Sequence, residues 1–495
     1  MSPDFSTRMR ARLNDLLSNP DTFTPDYTER YQALLEHCDD LSAHSAYAMT
    51  MLLGKDSSRG YRELPTHPSF EFPAAHVPDL ECQVGWHFFV GTAIGADGLH
   101  YGIQFMLWTY SLLPGPLRDE LGIDAIGNQV VEVHVAVSRE GDRHYRGAPV
   151  VITSDIEVNT DPFRFRAGDN FAESLQQGPF IPLRIHGSAL DGSDSPGTPV
   201  SFDLTFDDGK PPFLQGKEGA APSVGGVGTL YYSIPLMNLA QEGSKVRIGD
   251  ETVELVSGEF WFDHQWGTGF MPNGNPRQVD VRAMSDLPTP GPGGWDWFMM
   301  QFDGNEQLTL AAMHDNSHKT HFYDQTGAKP GIMNVPVSGK WIDVTGAAHE
   351  VAGEMRVTDW VRAERSPDPA IYPVSNVWYP NHWEFKLHDD VPDIMRFFEL
   401  TPIVDGGQAG YFAPGMQYSE GAVVVTRKDG LVGRGFAESV GYVTQRDPIL
   451  AIAGVSEDTA LAQTLDSPIS LGLKLRAIAH LAHPSSFKTL LSELR

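Results

Sequence analysis

The chain has 495 residues, 41% apolar and 20% charged, enough for sizeable interiors and too many for one ordinary core. Its 36 basic and 64 acidic side chains leave a formal charge of −28, which argues against a nucleic-acid partner and against broad docking on an anionic membrane. The 49 glycines and 36 prolines fit a turn-rich β protein, and two cysteines, Cys38 and Cys82, are too few for a disulfide framework or an unaided zinc site.

Residues 1–60 read as a helical N-terminal extension. Thr24-Pro25-Asp26 is a start signal and Gly54 a stop, with Tyr31, Leu34, Leu35, Cys38 and Leu41 at helical spacing between them. No apolar run follows the N-terminus as a signal peptide requires, and no stretch of about 20 apolar residues occurs. A cytoplasmic chain is the expectation.

Near residue 80 the period changes to two. GWHFFVGTAIGADGLHYGIQFML reads as two strands around a turn at Gly95-Ala96-Asp97-Gly98. Val131, Val133, Val135 and Val137 alternate with Glu132, His134 and Ala136; Phe202, Leu204 and Phe206 alternate with Ser201, Asp203 and Thr205. Each such strand offers one face to a core and one to water. A first β-barrel is expected over 61–286. The Pro/Gly-rich run Leu287–Gly294 is the linker candidate.

The pattern resumes in WDWFMMQFDGNEQLTLAAMHD, with a turn at Asp303-Gly304, and in GAVVVTRKDGLVGRGFAESVGY, with a turn at Asp429-Gly430. Hairpins without helical crossovers predict antiparallel sheets, so a second barrel is expected over 287–447. Beyond it, 448–495 reads as a helical C-terminal extension. Asp466-Ser467-Pro468 starts a helix with Leu471, Leu475 and Ile478 on one face, and Lys474, Arg476 and His480 make it basic. Docking on a barrel is the expected role, and peripheral membrane contact is the alternative.

The densest chemical cluster is GEFWFDHQWG, Gly258 to Gly267. As a strand it sends Phe260, Phe262, His264 and Trp266 to one face and Glu259, Trp261, Asp263 and Gln265 to the other. An imidazole among aromatics can hold an apolar ligand and offer it a proton; it can equally be a core histidine satisfied by its neighbours. In GGWDWFMMQFDG, Trp295 and Trp297 share a face opposite Asp296. Met313 and Asp315 share a face at the end of QLTLAAMHD, and an aspartate buried among aromatics has a raised pKa suited to general-acid work. His314, His318 and His321 have ligand-like spacing only on a helix, and this segment reads as strand and turn, so no metal is assigned. No P-loop, dinucleotide glycine pattern or G-x-S-x-G elbow occurs, and no motif implies a cofactor.

These clusters, in this order, resemble the family of carotenoid 1,2-hydratases and AttH-like proteins. The carriers are GWHFFVGT at Trp86, YGIQF at Tyr101, LQGKEG at Leu214, LYYSIPLMN at Leu230, GEFWFDHQWG, GWDWFMMQFDG, WYPNHWEF and YSEGAVVV with GFAESVGY. The resemblance spans about Trp86 to Tyr442. It implies a mainly β chain with two tandem lipocalin-like antiparallel β-barrels. An apolar site would lie at their interface, lined by the DHQWG strand. By position it implies His264, Trp266 and Asp315 as the functional group. Met313 stands where these proteins often carry an aromatic hydroxyl, and the usual acidic residue near Gly85-Trp86 is missing.

The resulting expectation is a cofactor-independent hydratase or lyase acting on a carbon–carbon double bond of a hydrophobic, isoprenoid-like small molecule. His264, Asp315 and Trp266 would be catalytic. Phe262, Trp295, Trp297, Met313, Trp86 and Tyr232 would bind substrate, and Asp263 and Asp296 would supply supporting hydrogen bonds. The alternatives are a cyclase or isomerase acting on a polyene, which the same family includes, and a carrier for a hydrophobic ligand. No motif specifies an oligomeric state.

Overall fold

The computed structural model describes residues 61–268 with short interruptions, 292–315, 328–362, 378–388, 391–406, 418–440 and Tyr442. The helical extensions expected over 1–60 and 448–495 lie outside the described residues, as does 287–291 of the linker run. Among the described residues the helical elements are a 3-10 turn, Ala74–His76, and two short helices, α1 (Gly115–Glu120) and α2 (Asp393–Arg396), with Asp155 also in 3-10 conformation. None of these is long and apolar enough to cross a membrane.

The first unit contains β1 (Val84–Gly95), β2 (His100–Ser111), β3 (Gln129–Arg139), β4 (His144–Gly147), β5 (Val150–Ile152), β6 (Ile156–Thr160), β7 (Phe163–Ala167) and β8 (Asn170–Ser174). It continues with β9 (Leu183–Leu190), β10 (Pro199–Gly209), β11 (Phe213–Leu214), β12 (Ala220–Ala221), β13 (Thr229–Leu239), β14 (Lys245–Ile248) and β15 (Glu251–Gly267). The second unit contains β16 (Pro292–Phe302), β17 (Glu306–Asp315), β18 (Met333–Ile342), β19 (Ala348–Arg362), β20 (Trp378–Leu387), β21 (Phe397–Pro402), β22 (Tyr418–Arg427) and β23 (Gly430–Val440).

The two units close differently. The second is a barrel of eight antiparallel strands, β16 to β23 in sequence order, with β23 returning to β16. The first was expected to be a closed barrel and is instead a 15-stranded sheet, ordered β4-β3-β2-β1-β15-β13-β10-β9-β8-β7-β6 along its main path. Its flanks meet through a loop rather than a ladder. The Gly192 N–H donates to the Arg146 carbonyl at 2.8 Å, and Asp191 accepts from the Arg146 N–H. Register irregularities at Ile94/Gly95, Phe206/Asp208 and Ile234/Met237 accompany the curl, since bulges sharpen local twist.

The expected hairpins form where the turn residues require. Gly98, between β1 and β2, has φ +80°, a conformation open to glycine at no steric cost. Val131, Val133, Val135 and Val137 enter the first core together with Phe202, Leu204 and Phe206. The other face of β3 does not meet water as alternation suggested. Glu132, His134 and Ala136 are buried because the second barrel covers them.

A third apolar cluster forms this seam. It joins Val84, Phe88, Val90, Met106, Trp108 and Trp261 to Trp297, Met299, Tyr418, Ala422, Phe436 and Val440. The sheets approach closely: a Cβ built on Gly102 would lie 2.2 Å from the Ala422 Cβ. At one edge Lys210 reaches across, its Nζ donating to the Asn305 carbonyl (2.7 Å), Gln307 Oε1 (2.7 Å) and the Asp343 carbonyl (2.8 Å).

Candidate functional site

Strand alternation sends the side chains of GEFWFDHQWG to two separate places. Phe260, Phe262 and Trp266 enter the first core, and His264 stacks among them, its ring 4.3 Å from that of Trp266. Trp261 enters the seam, and its Nε1 donates to Asp263 at 2.5 Å.

On the inner face three histidines hold a turn against the sheet. His264 Nδ1 donates to the Ala75 carbonyl (3.0 Å), and His87 Nε2 to the His76 carbonyl (2.6 Å). His76 Nδ1 bonds the Tyr232 hydroxyl at 2.6 Å. Burial lowers His76 to about 3 and His87 to about 4, and pushes His264 well below the ordinary imidazole range, with neighbouring imidazoles adding to the effect for His76 and His264. His264 is therefore a neutral donor inside the first unit, on the face of β15 turned away from the second barrel. Tyr232 and Phe262 share that interior.

The seam face carries the unusual carboxyls. Glu420 on β22 and Glu438 on β23 are direct cross-strand partners, and Trp297 on β16 is the next partner of Glu438. Glu420 is 1% exposed; Glu438 is partly buried and accepts from Trp295 Nε1 at 2.6 Å. Burial pushes Glu420 well above the ordinary carboxylate range, and the neighbouring Glu438 charge adds to this. Burial raises Glu438 to about 7, against the Trp295 bond that pulls it down. Across the seam, burial raises Asp263 to about 6, although Ser233, Tyr231 and Trp261 all donate to it. Both glutamates respond to the Asp263 charge, so the three carboxyls form one electrostatic group.

The first unit supplies the groups that orient Glu420. Gln104 Nε2 donates to Glu420 Oε2 (2.5 Å) and to the Tyr418 hydroxyl (2.8 Å). Tyr418 Oη lies 2.6 Å from His134 Nδ1, and His134 Nε2 lies 2.9 Å from Glu132 Oε1. Among the described residues Glu420 Oε1 has no partner. Aromatic rings surround the group: Trp86 stands 5.6 Å from Trp108, Trp261 stands 6.2 Å from Trp297, and Phe88 stands 5.7 Å from Trp297.

Of the residues singled out in the sequence, Trp86, Trp295, Trp297 and Asp263 meet at this seam. His264, Trp266, Phe262 and Tyr232 lie inside the first unit. Asp296 points into the second barrel, where the Tyr442 hydroxyl donates to its carboxyl at 2.9 Å. Met313 is 54% exposed, opposite Trp295 on β17. Asp315 ends β17 opposite Pro292, and its side chain, like that of His314, lies outside the described residues, as do His318 and His321 entirely. Glu420, Glu438, Tyr418, Gln104, Glu132 and His134 were not singled out. Their pairing could not be counted from the Asp429-Gly430 turn, because a register shift between Val425 and Thr426 is what sets Glu420 opposite Glu438.

The arrangement can perform acid–base chemistry in an apolar setting. Two carboxyls side by side do not both ionise readily, so one holds a proton near neutrality while the other accepts. The indole faces are suited to stabilising positive charge that develops on carbon.

A family model for AttH-like proteins matches residues 63–442. A crystal structure of an AttH candidate from Nitrosomonas europaea shares 17% identity at a TM-score of 0.50, covering 77% of this chain and all of its own. Kievitone hydratase from Nectria haematococca shares 13% identity at a TM-score of 0.46, covering 78% of this chain and 97% of its own. CghA shares 12% identity at a TM-score of 0.34, with the same coverages. A search of curated proteins returned no match. The match over 63–442, together with two β units joined along an aromatic seam, makes this chain a member of the AttH-like family.

Proposed function

We propose that the protein is a cofactor-independent hydratase or lyase that adds water to, or removes it from, a carbon–carbon double bond of a hydrophobic, isoprenoid-like molecule held at the seam. The observation that carries this reading is the Glu420–Glu438 pair, opposed in register and walled by tryptophans.

In the hydration direction Glu420 delivers its proton to one alkene carbon. The electron pair of the double bond forms the new C–H bond, and the tertiary cation develops against the indole faces. Water attacks the cation, and Glu438, whose Trp295 hydrogen bond favours the anion against the effect of burial, takes the proton that water loses. Transfer of that proton between the neighbouring carboxyls restores the starting state. Gln104 and Tyr418 position Glu420 from either side of the seam.

Turnover of isoprenoid alkenes in oxygen-labelled water tests this. One labelled oxygen in the product, lost with Glu420→Gln, is the expected result. A product of unchanged mass would replace hydration with cyclisation, and bound substrate without product would make the protein a carrier.

A further inference from the structure

Two buried titratable groups at the seam take no part in the reaction proposed above. Glu132 and His134 lie two residues apart on β3, on one face, and the second barrel covers both. A buried carboxyl–imidazole pair is weak support for stability, because desolvation offsets its attraction. What this pair reaches is a hydroxyl on the other unit. Glu132 Oε1 lies 2.9 Å from His134 Nε2, and His134 Nδ1 lies 2.6 Å from Tyr418 Oη. The His134 and Tyr418 rings stack at 5.6 Å.

Tyr418 stands two residues from Glu420 on β22, on the same face. Its hydroxyl has one hydrogen and two acceptors to serve. One is His134 Nδ1 and the other is the Glu420 carboxyl. Burial raises Glu420 most, and the charges of Glu438 on β23 and Asp263 on β15 add to this, while hydrogen bonds from Tyr418 and Gln104 pull it down. Gln104 Nε2, on β2, holds Tyr418 Oη and Glu420 Oε2 together at 2.8 and 2.5 Å. The Glu132 charge acts on Tyr418. The contacts thus run from Glu132 to Glu420 through the phenol.

We propose that Glu132 and His134 are positioning residues for Glu420, drawing the Tyr418 hydrogen toward His134 Nδ1 and away from the Glu420 carboxyl. A Glu132 anion accepts from His134 Nε2, which makes Nδ1 the better acceptor of that hydrogen. The Glu420 anion then lacks a donor, so Glu420 keeps its proton. This role rests on the reading of Glu420 as the acid of the seam.

The test is an infrared pH titration of the full chain without substrate. The C=O band of a protonated carboxyl that disappears in Glu420→Gln reports Glu420, and the pH at which it fades is its midpoint. Glu132→Gln, which keeps size and shape, should lower that midpoint by about one to two pH units, the worth of one hydrogen bond to an ionised carboxyl. His134→Leu, which deletes the acceptor, should lower it likewise. Tyr418→Phe should leave the midpoint in place or raise it, and adding Glu132→Gln to that variant should then change nothing. The alkaline fall in turnover, where the proposed reaction loses its acid, should follow each shift. An unchanged midpoint in Glu132→Gln or in His134→Leu overturns the proposal. So does a Glu132→Gln shift that persists in the Tyr418→Phe background, since a charge acting through space would give it. Absence of a Glu420 band at neutral pH would overturn this role together with the acid reading. A midpoint that moves without the alkaline fall in turnover would keep the positioning role and remove Glu420 from the reaction.

Discussion

Glu420 and Glu438 face each other across the β22–β23 ladder, two carboxyls on the same side of one sheet, beneath the covering face of another. Their surroundings differ. Glu420 is the more deeply buried, while Glu438 receives an indole N–H and keeps some access to solvent. This asymmetry assigns the proton to Glu420 and the negative charge to Glu438.

Glu420→Gln is expected to lower kcat by about 10²–10⁴ with little change in KM, the loss associated with a general acid. Turnover of the proposed alkene substrate in single-turnover and steady-state assays measures both. An equal loss in KM would mean that Glu420 binds substrate without donating to it.

The pH profile follows from the same pair. Activity should rise as pH increases through about 7, where Glu438 loses its proton, and fall again when Glu420 ionises. Glu438→Gln should remove the acid limb and retain the alkaline one. A variant profile that keeps both limbs would assign the acid limb to another group.

Gly102 sets how closely the units approach. Gly102→Ala should destabilise the protein by about 1–3 kcal/mol, because its Cβ would overlap Ala422. Adding Ala422→Gly to that variant should recover most of the loss. Thermal melts of the two single variants and the double variant give the coupling, and additive effects would mean that the two positions do not meet.

Lys210 is the polar counterpart of that contact. Lys210→Met should cost about 1–3 kcal/mol, since three oxygens of the second barrel lose their donor. Proteolysis at the seam should accelerate in the same variant. Unchanged melting and cleavage would show that water replaces the ammonium.

Two sets of buried groups oppose each other in acid. His76 and His87 have folded pKa values below the unfolded one, so their stabilisation is full above pH 6.5 and is lost as pH falls from there toward 4. Asp296 is raised to about 7, so its contribution is full below about 4 and is lost as pH rises through 7. Asp296→Asn isolates the second effect. Its stability relative to the parent should rise across that window by on the order of 3–4 kcal/mol and then stay level. A difference that does not vary with pH would refute the raised pKa.

The hairpins, the second barrel's strands and the two faces of GEFWFDHQWG were legible because turn glycines and alternation are local signals. Which face of that strand meets the second unit was not legible. Both faces carry tryptophan and a titratable group, and alternation separates faces without saying what covers them. His264, expected to be catalytic, lies inside the first unit, and Asp263, placed behind it, faces the seam. Glu132 and His134 looked like the wet side of β3 for the same reason. Closure of the first unit was also illegible, since it depends on a loop contact at Arg146 and Gly192 rather than on a strand.

The order of synthesis gives the seam a further consequence. Gln104, Glu132, His134 and Asp263 leave the ribosome early, and Tyr418 and Glu420 emerge roughly 150 residues after β15, on the order of 10–30 s later at ordinary elongation rates. Throughout that interval the tryptophan-rich outer face of the first unit has no cover. The nascent chain is then most prone to self-association, and a chaperone that shields this face would raise the yield of the mature protein without touching the finished one.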